Sequence, residues 1–363
     1  MPKIHLSYEW LPDGLQRGGT PSPLHHPLMD LLQAVRDSGS ISRAAKGLDL
    51  SYRHVWGELK RWEQQLAQPL IVWEKGQAAR LTEFADKLLW AERQAQARLA
   101  PQISALQAEL EKTFALAFDP GSHVLTLYAS HDDALVRLRE HAATQGLHLD
   151  IRFCGSVDAI RALNEGRCTV AGFHAPEQPS LDSLVARTYK PMLKTGQHKL
   201  IGFASRDQGL MVQVGNPRGI YRMEDLKRDG IRMVNRSLGT GTRLLLDEWL
   251  ERTGTDPAEL SGYDREELSH AALAACIASG KADTGLGIAS AASAQKLDFI
   301  PVLHEQYWLV CLKSALDNPA VMQLRQILLS MSWQKHLQEL SGYRAALQSG
   351  QVHSLRRTLP WWT

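Results

Sequence analysis

The chain is poor in the features that would mark a secreted, membrane or metal-binding protein. Its four cysteines, Cys154, Cys168, Cys276 and Cys311, are scattered without Cys-x-x-Cys spacing. They read as buried thiols of a reducing compartment rather than as disulfides or zinc ligands. There is no charged-then-apolar leader and no long apolar run, which points to a cytoplasmic protein with no membrane partner. An excess of one charge is missing too: 41 Lys and Arg stand against 39 Asp and Glu. Any affinity for nucleic acid must therefore be local. Catalytic signatures are also absent. No Gly-x-Ser-x-Gly or His-Glu-x-x-His occurs, and Gly239-Thr240-Gly241-Thr242 is not a Walker loop because no Gly-Lys-Ser/Thr follows. His131 with Asp132, and His270 with Glu266 and Glu267, are pairs that 14 histidines supply by chance. Without a positioned nucleophile they do not make an enzyme, and no cofactor or metal is expected.

At 363 residues the chain is too long for one ordinary core, so several domains are expected. Residues 1–27 are rich in Pro and Gly and read as a loosely ordered leader. From Leu28 three short helical patterns follow one another. Leu28, Leu31, Leu32 and Val35 recur at threes and fours, so one face of the first helix is buried. Gly39 ends that helix, and Ser40 caps a short second one, Ile41 to Leu48. Asp49 and Leu50 turn the chain, and Ser51 caps a third helix from Tyr52 to about Leu66, with Val55, Trp56, Leu59 and Trp62 pointing inward. Strand-like runs at Leu70–Trp73 and Arg80–Leu81 then flank Glu74-Lys75-Gly76-Gln77. This order predicts a winged helix-turn-helix over residues 28–82. Tyr52, Arg53, His54 and Lys60 would lie on the outer face of the recognition helix, where long donors meet guanine edges and phosphates. Lys75 and Arg80 would reach the flanking backbone from the wing. The plainer alternative is that the basic residues form an ordinary solvated face.

Residues 83–116 read as one connecting helix. Phe84, Leu88, Ala95, Leu99, Ile103, Leu106 and Leu110 form a narrow apolar seam that has no partner in the preceding domain. A second copy of the helix would supply one, making a homodimer or a tetramer. Pro101 should kink the helix or restart it. From Gly121 the pattern becomes α/β, with strands expected at Val124–Ala129, Leu149–Cys154, Thr169–Phe173, Lys199–Ala204, Ile231–Asn235 and Tyr307–Leu312. Such alternation argues for largely parallel sheets, with a ligand at the carboxyl ends of the strands. Three strand ends carry the same chemistry: Ser130, Ser156 and the run Asn235 to Arg243 each precede a helix. Hydroxyls and N–H groups at helix N-termini suit a small anion, although each residue taken singly can be a plain cap. Leu359-Pro360-Trp361-Trp362 is an aromatic tail expected to dock on a groove of its own fold.

Two segments resemble known families. Ser38 to Glu63, with its Gly-Ser-Ile-Ser-x-Ala-Ala and Ser-Tyr-x-x-x-Trp patterns, is similar to the DNA-binding domain of the ModE-type molybdate-responsive regulators; LysR-type regulators share the layout without that signature. Residues 121–340, through Arg206 to Ile220, Val234 to Leu250, Gly262 to Ala292 and Leu297 to Val310, resemble the molybdate/tungstate-type binding domain fused to such DNA-binding domains. The resemblance implies a type 2 periplasmic-binding-protein fold spanning 121–350. One lobe would comprise 121–205 and 306–345, the other 206–305, followed by a tail at 351–363. It also implies Ser130, Ser156, Asn235, Thr240, Gly241, Thr242 and Arg243 as cleft residues. The implied function is a one-component regulator that binds a double-stranded DNA operator and a small oxyanion effector such as molybdate or tungstate. A small carboxylate or other organic effector, or an oxyanion-storage role, is the alternative. Phe173 to Glu177, where relatives usually carry a longer His-Leu-Leu-Asp segment, and Asp207, where their Arg-Glu-Gln-Gly-Leu has Glu, depart from the family's usual residues, so the effector itself stays open.

Overall fold

The computed structural model describes residues 26–72, 78–118, 123–177, 180–345 and 348–362. Residues 1–25 of the expected leader and the wing tip with Lys75 lie outside the described residues, while His26 and Pro27, expected in that leader, cap and open the first helix. The chain forms two compact units, Met1–Ala100 and Pro101–Thr363.

The first unit is built as its caps dictate. Helix α1 (Pro27–Ser38) buries Leu28, Leu31, Leu32 and Val35 and ends at Gly39, whose φ of 61° is the left-handed conformation that glycine adopts without strain. Ser40 accepts from the Arg43 N–H to open α2 (Ile41–Gly47). Ser51 does the same from His54 for α3 (Tyr52–Leu66). The wing is an antiparallel pair, β1 (Ile71–Val72) with β2 (Arg80–Leu81). Glu63 of α3 ties it down, accepting from the N–H groups of Leu70 and Ile71 at 2.9 and 3.3 Å. Val55 and Leu59 enter the core as expected, whereas Trp56 and Trp62 are only half-buried and lie along its edge. Thr82 caps α4 (Glu83–Phe118), and helix continues through Pro101 without the expected restart.

The second unit is a mixed sheet with helices on its faces. Its first part is β3 (His123–Ala129), α5 (Asp133–Ala143), β4 (Leu147–Phe153), α6 (Ser156–Asn164), β5 (Val170–Pro176), α7 (Leu184–Tyr189) and β6 (His198–Val212). There follow β7 (Asn235–Arg236), α8 (Gly241–Thr253), β8 (Glu266–Glu267), α9 (His270–Ala278), β9 (Thr284–Ile288) and α10 (Ala289–Ala294). The chain returns through β10 (Asp298–Leu312), α11 (Pro319–Leu329), α12 (Met331–Gln338), β11 (Tyr343–Ala345), β12 (Val352–Ser354) and α13 (Leu355–Thr358). The main sheet runs β11-β6-β10-β5-β3-β4, with β9 and β12 also on β6. Only β3 with β4 and with β5 pair in parallel there; β5–β10, β6–β10 and β6–β9 are antiparallel. The expectation of largely parallel sheets fails because β6 and β10 run 15 residues each and return beside one another. The strand expected at Ile231–Asn235 shrinks to a bridge at Met233 and the two residues of β7.

Both long strands carry a polar middle between apolar runs, Leu200–Ala204 and Gly209–Val212 in β6 and Phe299–Leu303 and Tyr307–Leu312 in β10. Their centres pair as Glu305 with Arg206 and His304 with Asp207, so the lobe boundaries expected at 205/206 and 305/306 fall inside strands. One core forms among β3, α5, β4, α11 and α12, and another under α6, β5 and α7. A third gathers Leu210, Ile220, Leu226, Leu246 and Leu286 on the far side of the crossing strands. The aromatic tail docks as anticipated: Leu359 and Trp361 are buried in the second of these cores, with the Trp361 ring 6.3 Å from that of Tyr189.

Candidate ligand cleft and recognition helix

Two groups of candidate residues end in opposite surroundings. On the first unit, Tyr52, Arg53 and His54 stand exposed on the first turn of α3, and Arg80 is exposed on the wing. Tyr52 stacks parallel to Trp56, ring centroids 6.3 Å apart. Ser40 and Ser51 are caps whose hydroxyls are spent on the backbone. Lys60 is held by Glu63 at 2.6 Å and lies over the Trp56 ring. Among the described residues Arg53 makes no ion pair, whereas Arg61 on the same helix pairs with Glu58 at 2.5 Å.

In the second unit the ends of β3 and β4 and the loop before α8 meet. The hydroxyls of Ser130 and Ser156 lie 3.4 Å apart. The Val157 N–H reaches the Gly239 carbonyl at 3.4 Å. A Cβ on Gly155 would come within 2.9 Å of that carbonyl oxygen, so no side chain fits there. Gly241 stands against His174, whose Cβ a side chain at that position would meet at 3.1 Å. Thr242 accepts from Gln208 Nε2 at 2.7 Å.

These contacts lead to a buried polar cluster on the middles of the crossing strands. Arg206 donates to both Glu305 and Asp132. Asp132 also accepts from the Tyr343 hydroxyl at 2.7 Å and caps α5 through the Ala134 N–H. All four of these residues are buried. A buried ion pair survives only when its remaining hydrogen-bonding capacity is met, as it is here. The cluster explains Asp132 as a structural carboxylate rather than a partner in His131 chemistry.

Other buried atoms beside it lack partners: His174 Nε2, His270 Nδ1, Arg236 Nε and Gln208 Oε1 make no hydrogen bond. Arg236 donates through one guanidinium nitrogen to the Glu267 carbonyl at 3.2 Å. Burial and the neighbouring Arg206 hold its pKa down to about 9. His174 and His270 lie well below the ordinary imidazole value because they are buried and face Arg206 and Arg236. Burial brings His131 down to about 4. All three imidazoles are neutral near pH ~7, the state in which each offers one N–H and one lone pair. Among the described residues no group of three or more His, Cys, Asp or Glu could hold a metal ion.

The structure therefore sorts the expected cleft residues. Ser130 meets Ser156, while Gly241 and Thr242 meet His174 and Gln208. Asn235 bonds the Tyr263 carbonyl and the Arg236 N–H, and Thr240 caps α8. Arg243 directs its guanidinium to Asp247 and Glu266 and stacks over Tyr263, which takes its charge out of the cleft. His174, Arg206, Gln208, Arg236 and Glu305 were not named as cleft residues from sequence. Their signal was polar residues inside apolar strands, Arg206 and Gln208 in β6 and Glu305 in β10.

Comparison with known proteins places this geometry. Residues 138–329 match the PBP superfamily domain, and residues 27–86 match the bacterial regulatory helix-turn-helix protein of the lysR family. The chain belongs to the PBP superfamily, with a match to the lysR-family helix-turn-helix before that domain. It is 36% identical over 200 residues to the uncharacterized protein YvgK of Bacillus subtilis, covering 54% of this chain and 63% of that protein. It is 37% identical over 101 residues to an uncharacterized protein of Clostridium pasteurianum in a ferredoxin 2Fe-2S gene 5′ region, covering 28% of this chain and 89% of that one. Among solved structures, a hydrogen peroxide-bound mutant of Corynebacterium glutamicum OxyR is similar at 16% identity and a TM-score of 0.43, covering 87% of this chain and 94% of that chain. CbnR with its target DNA is similar at 14% identity and 0.40, covering 82% and 96%. Likenesses that distant transfer no residue roles.

Proposed function

We propose that the chain is a transcription regulator that binds operator DNA through α3 and the wing and senses a compact anion between the lobes of its second unit. The observation that carries the sensor reading is the set of buried, unpartnered polar atoms on His174, His270, Arg236 and Gln208, next to Ser130, Ser156 and Thr242. Leaving such groups unpaired costs about 1–3 kcal/mol each, which a bound ligand would recover. Small oxyanions, molybdate and tungstate first, suit hydroxyls and helix-end N–H groups, as the resemblance to the molybdate-type domains implies. A small carboxylate is the second reading. It is favoured by Arg236, whose planar guanidinium suits two carboxylate oxygens.

The DNA reading rests on the exposed Arg53 at the start of α3 and on the lysR-family match of this domain. Assembly as a homodimer, or a tetramer of such dimers, is supported by α4, where Phe84, Leu106 and Leu110 are 36, 57 and 41% exposed along the expected seam. Among the described residues no helix is long and apolar enough to cross a membrane.

The test is calorimetry on the full chain with molybdate, tungstate, sulfate, phosphate and formate, paired with gel shifts on DNA flanking its own gene. One of the anions should bind, and Thr242→Ala should weaken it. Silence with every anion, together with regulation untouched by Thr242→Ala, would move the effector to a larger organic molecule.

A further inference from the structure

Gln208 sits in the polar middle of β6 and is fully buried. Its amide nitrogen donates to Thr242 Oγ1 at 2.7 Å and to Glu305 Oε1 at 3.0 Å. Glu305 is itself held by the Arg206 guanidinium. A carboxylate so held accepts hydrogen bonds and does not donate them. Turning the amide over would set oxygen against oxygen, so Glu305 fixes which end of Gln208 is which. That orientation leaves Gln208 Oε1 buried as an acceptor with no donor. Arg236 Nε, unpartnered and buried close enough to Arg206 to feel its charge, is a donor, and each neutral imidazole can present one. The cluster is thus donor-rich with one committed acceptor in it.

We infer that Gln208 Oε1 reads a hydrogen-bond donor on the effector, so the ligand is a small anion that carries an O–H beside its charged oxygens. Among tetrahedral oxyanions that description fits hydrogenphosphate. Among carboxylates it fits a short 2-hydroxy acid. Sulfate, molybdate and tungstate in their fully ionised forms offer acceptors alone and would leave Gln208 Oε1 unpaired or facing another oxygen. The inference rests on the anion reading above and narrows it, and it displaces molybdate and tungstate from the first place given to them there. A site built to hydrogen-bond a substrate group discriminates strongly against the analogue lacking it, because its own buried group is then left unpaired.

Matched pairs test it in the parent protein without any variant. Calorimetry on the full chain at about pH 8, above the second phosphate ionisation, compares hydrogenphosphate with sulfate, two dianions of similar size and shape. Glycolate against acetate makes the same comparison for carboxylates, and whichever pair binds separates the inorganic from the organic source. The hydroxyl-bearing member should bind at least about tenfold more tightly. Gln208→Met, which keeps the length of the side chain and removes the acceptor, should narrow that gap to about twofold by weakening the hydroxyl-bearing member. Equal or tighter binding of sulfate or acetate by the parent overturns the inference while leaving the anion cleft standing. A gap that survives Gln208→Met overturns it in the same way. No heat with any of the four overturns the inference, and the anion reading falls with it only if molybdate, tungstate and formate are silent as well.

Discussion

The two units treat polar side chains in opposite ways. In the first, the polar groups singled out for function stay in water and come mostly from one short stretch: Tyr52, Arg53 and His54 are consecutive and exposed. Their charged neighbours on α3 close onto the same helix, as Lys60 does with Glu63 and Arg61 with Glu58. In the second, the polar groups are buried and come from segments as far apart as Asp132, Arg206, Glu305 and Tyr343. A surface that meets a long polyanion needs solvated, reachable donors and little else. A site for a small anion needs water excluded and donors converging from several directions, and a chain supplies those only by folding back on itself.

The contrast is most easily broken at Asp132. Asp132→Ala would leave Arg206 and the Tyr343 hydroxyl short of an acceptor in the interior. The second unit should lose about 3–5 kcal/mol, as buried pairs do when one partner is removed. Urea denaturation would show this as an early transition of that unit, with the first unit's transition unmoved. A loss below about 1 kcal/mol would mean that the cluster is more hydrated than its burial says.

Arg53→Ala probes the exposed side of the comparison. It should cost about 1–3 kcal/mol of specific DNA affinity with no change in melting. Lys60→Ala, whose ammonium is already engaged by Glu63, should cost about 1 kcal/mol or less. Gel shifts at two salt concentrations rank the two, and a larger effect at Lys60 would reverse the assignment. Leu106→Glu tests whether α4 stays exposed in solution: sedimentation should show the dimer weakened about tenfold or more if a second helix covers that seam. An unchanged oligomer would assign the interface to another surface.

The smallest effect sharpens the comparison, because the first unit holds a half-buried carboxyl of its own. Burial, with Asp30 nearby, raises Glu92 from 4.5 to about 7. The folded state then holds this proton better than the unfolded chain. The resulting stability is present below pH about 4.5 and is lost as the pH rises through about 7. Glu92→Gln should therefore match the parent near pH ~4.5 and melt higher near pH ~8. Melting curves that keep the same difference at both pH values would show that Glu92 titrates normally.

The first unit was legible in the sequence almost residue by residue. Caps at Ser40 and Ser51, the glycine at 39 and the apolar spacing of Leu28 to Val35 each act within about one helical turn. The same local reasoning found the serines and threonines ahead of α5, α6 and α8, and even the burial of Trp361. It could not separate Thr240, a plain cap, from Thr242, which faces Gln208, since both carry a hydroxyl at the start of one helix. Nor could it foresee that Arg243 would turn to Asp247 and Glu266 while Arg236 stayed inside with an unbonded Nε. Helix ends, turns and apolar faces were determined by the sequence alone, because the forces that set them act between near neighbours. Which polar groups meet in the cleft was decided by the tertiary structure, because β6 and β10 bring Arg206 and Glu305 together from 99 residues apart, and a buried charge keeps the orientation that such a partner imposes.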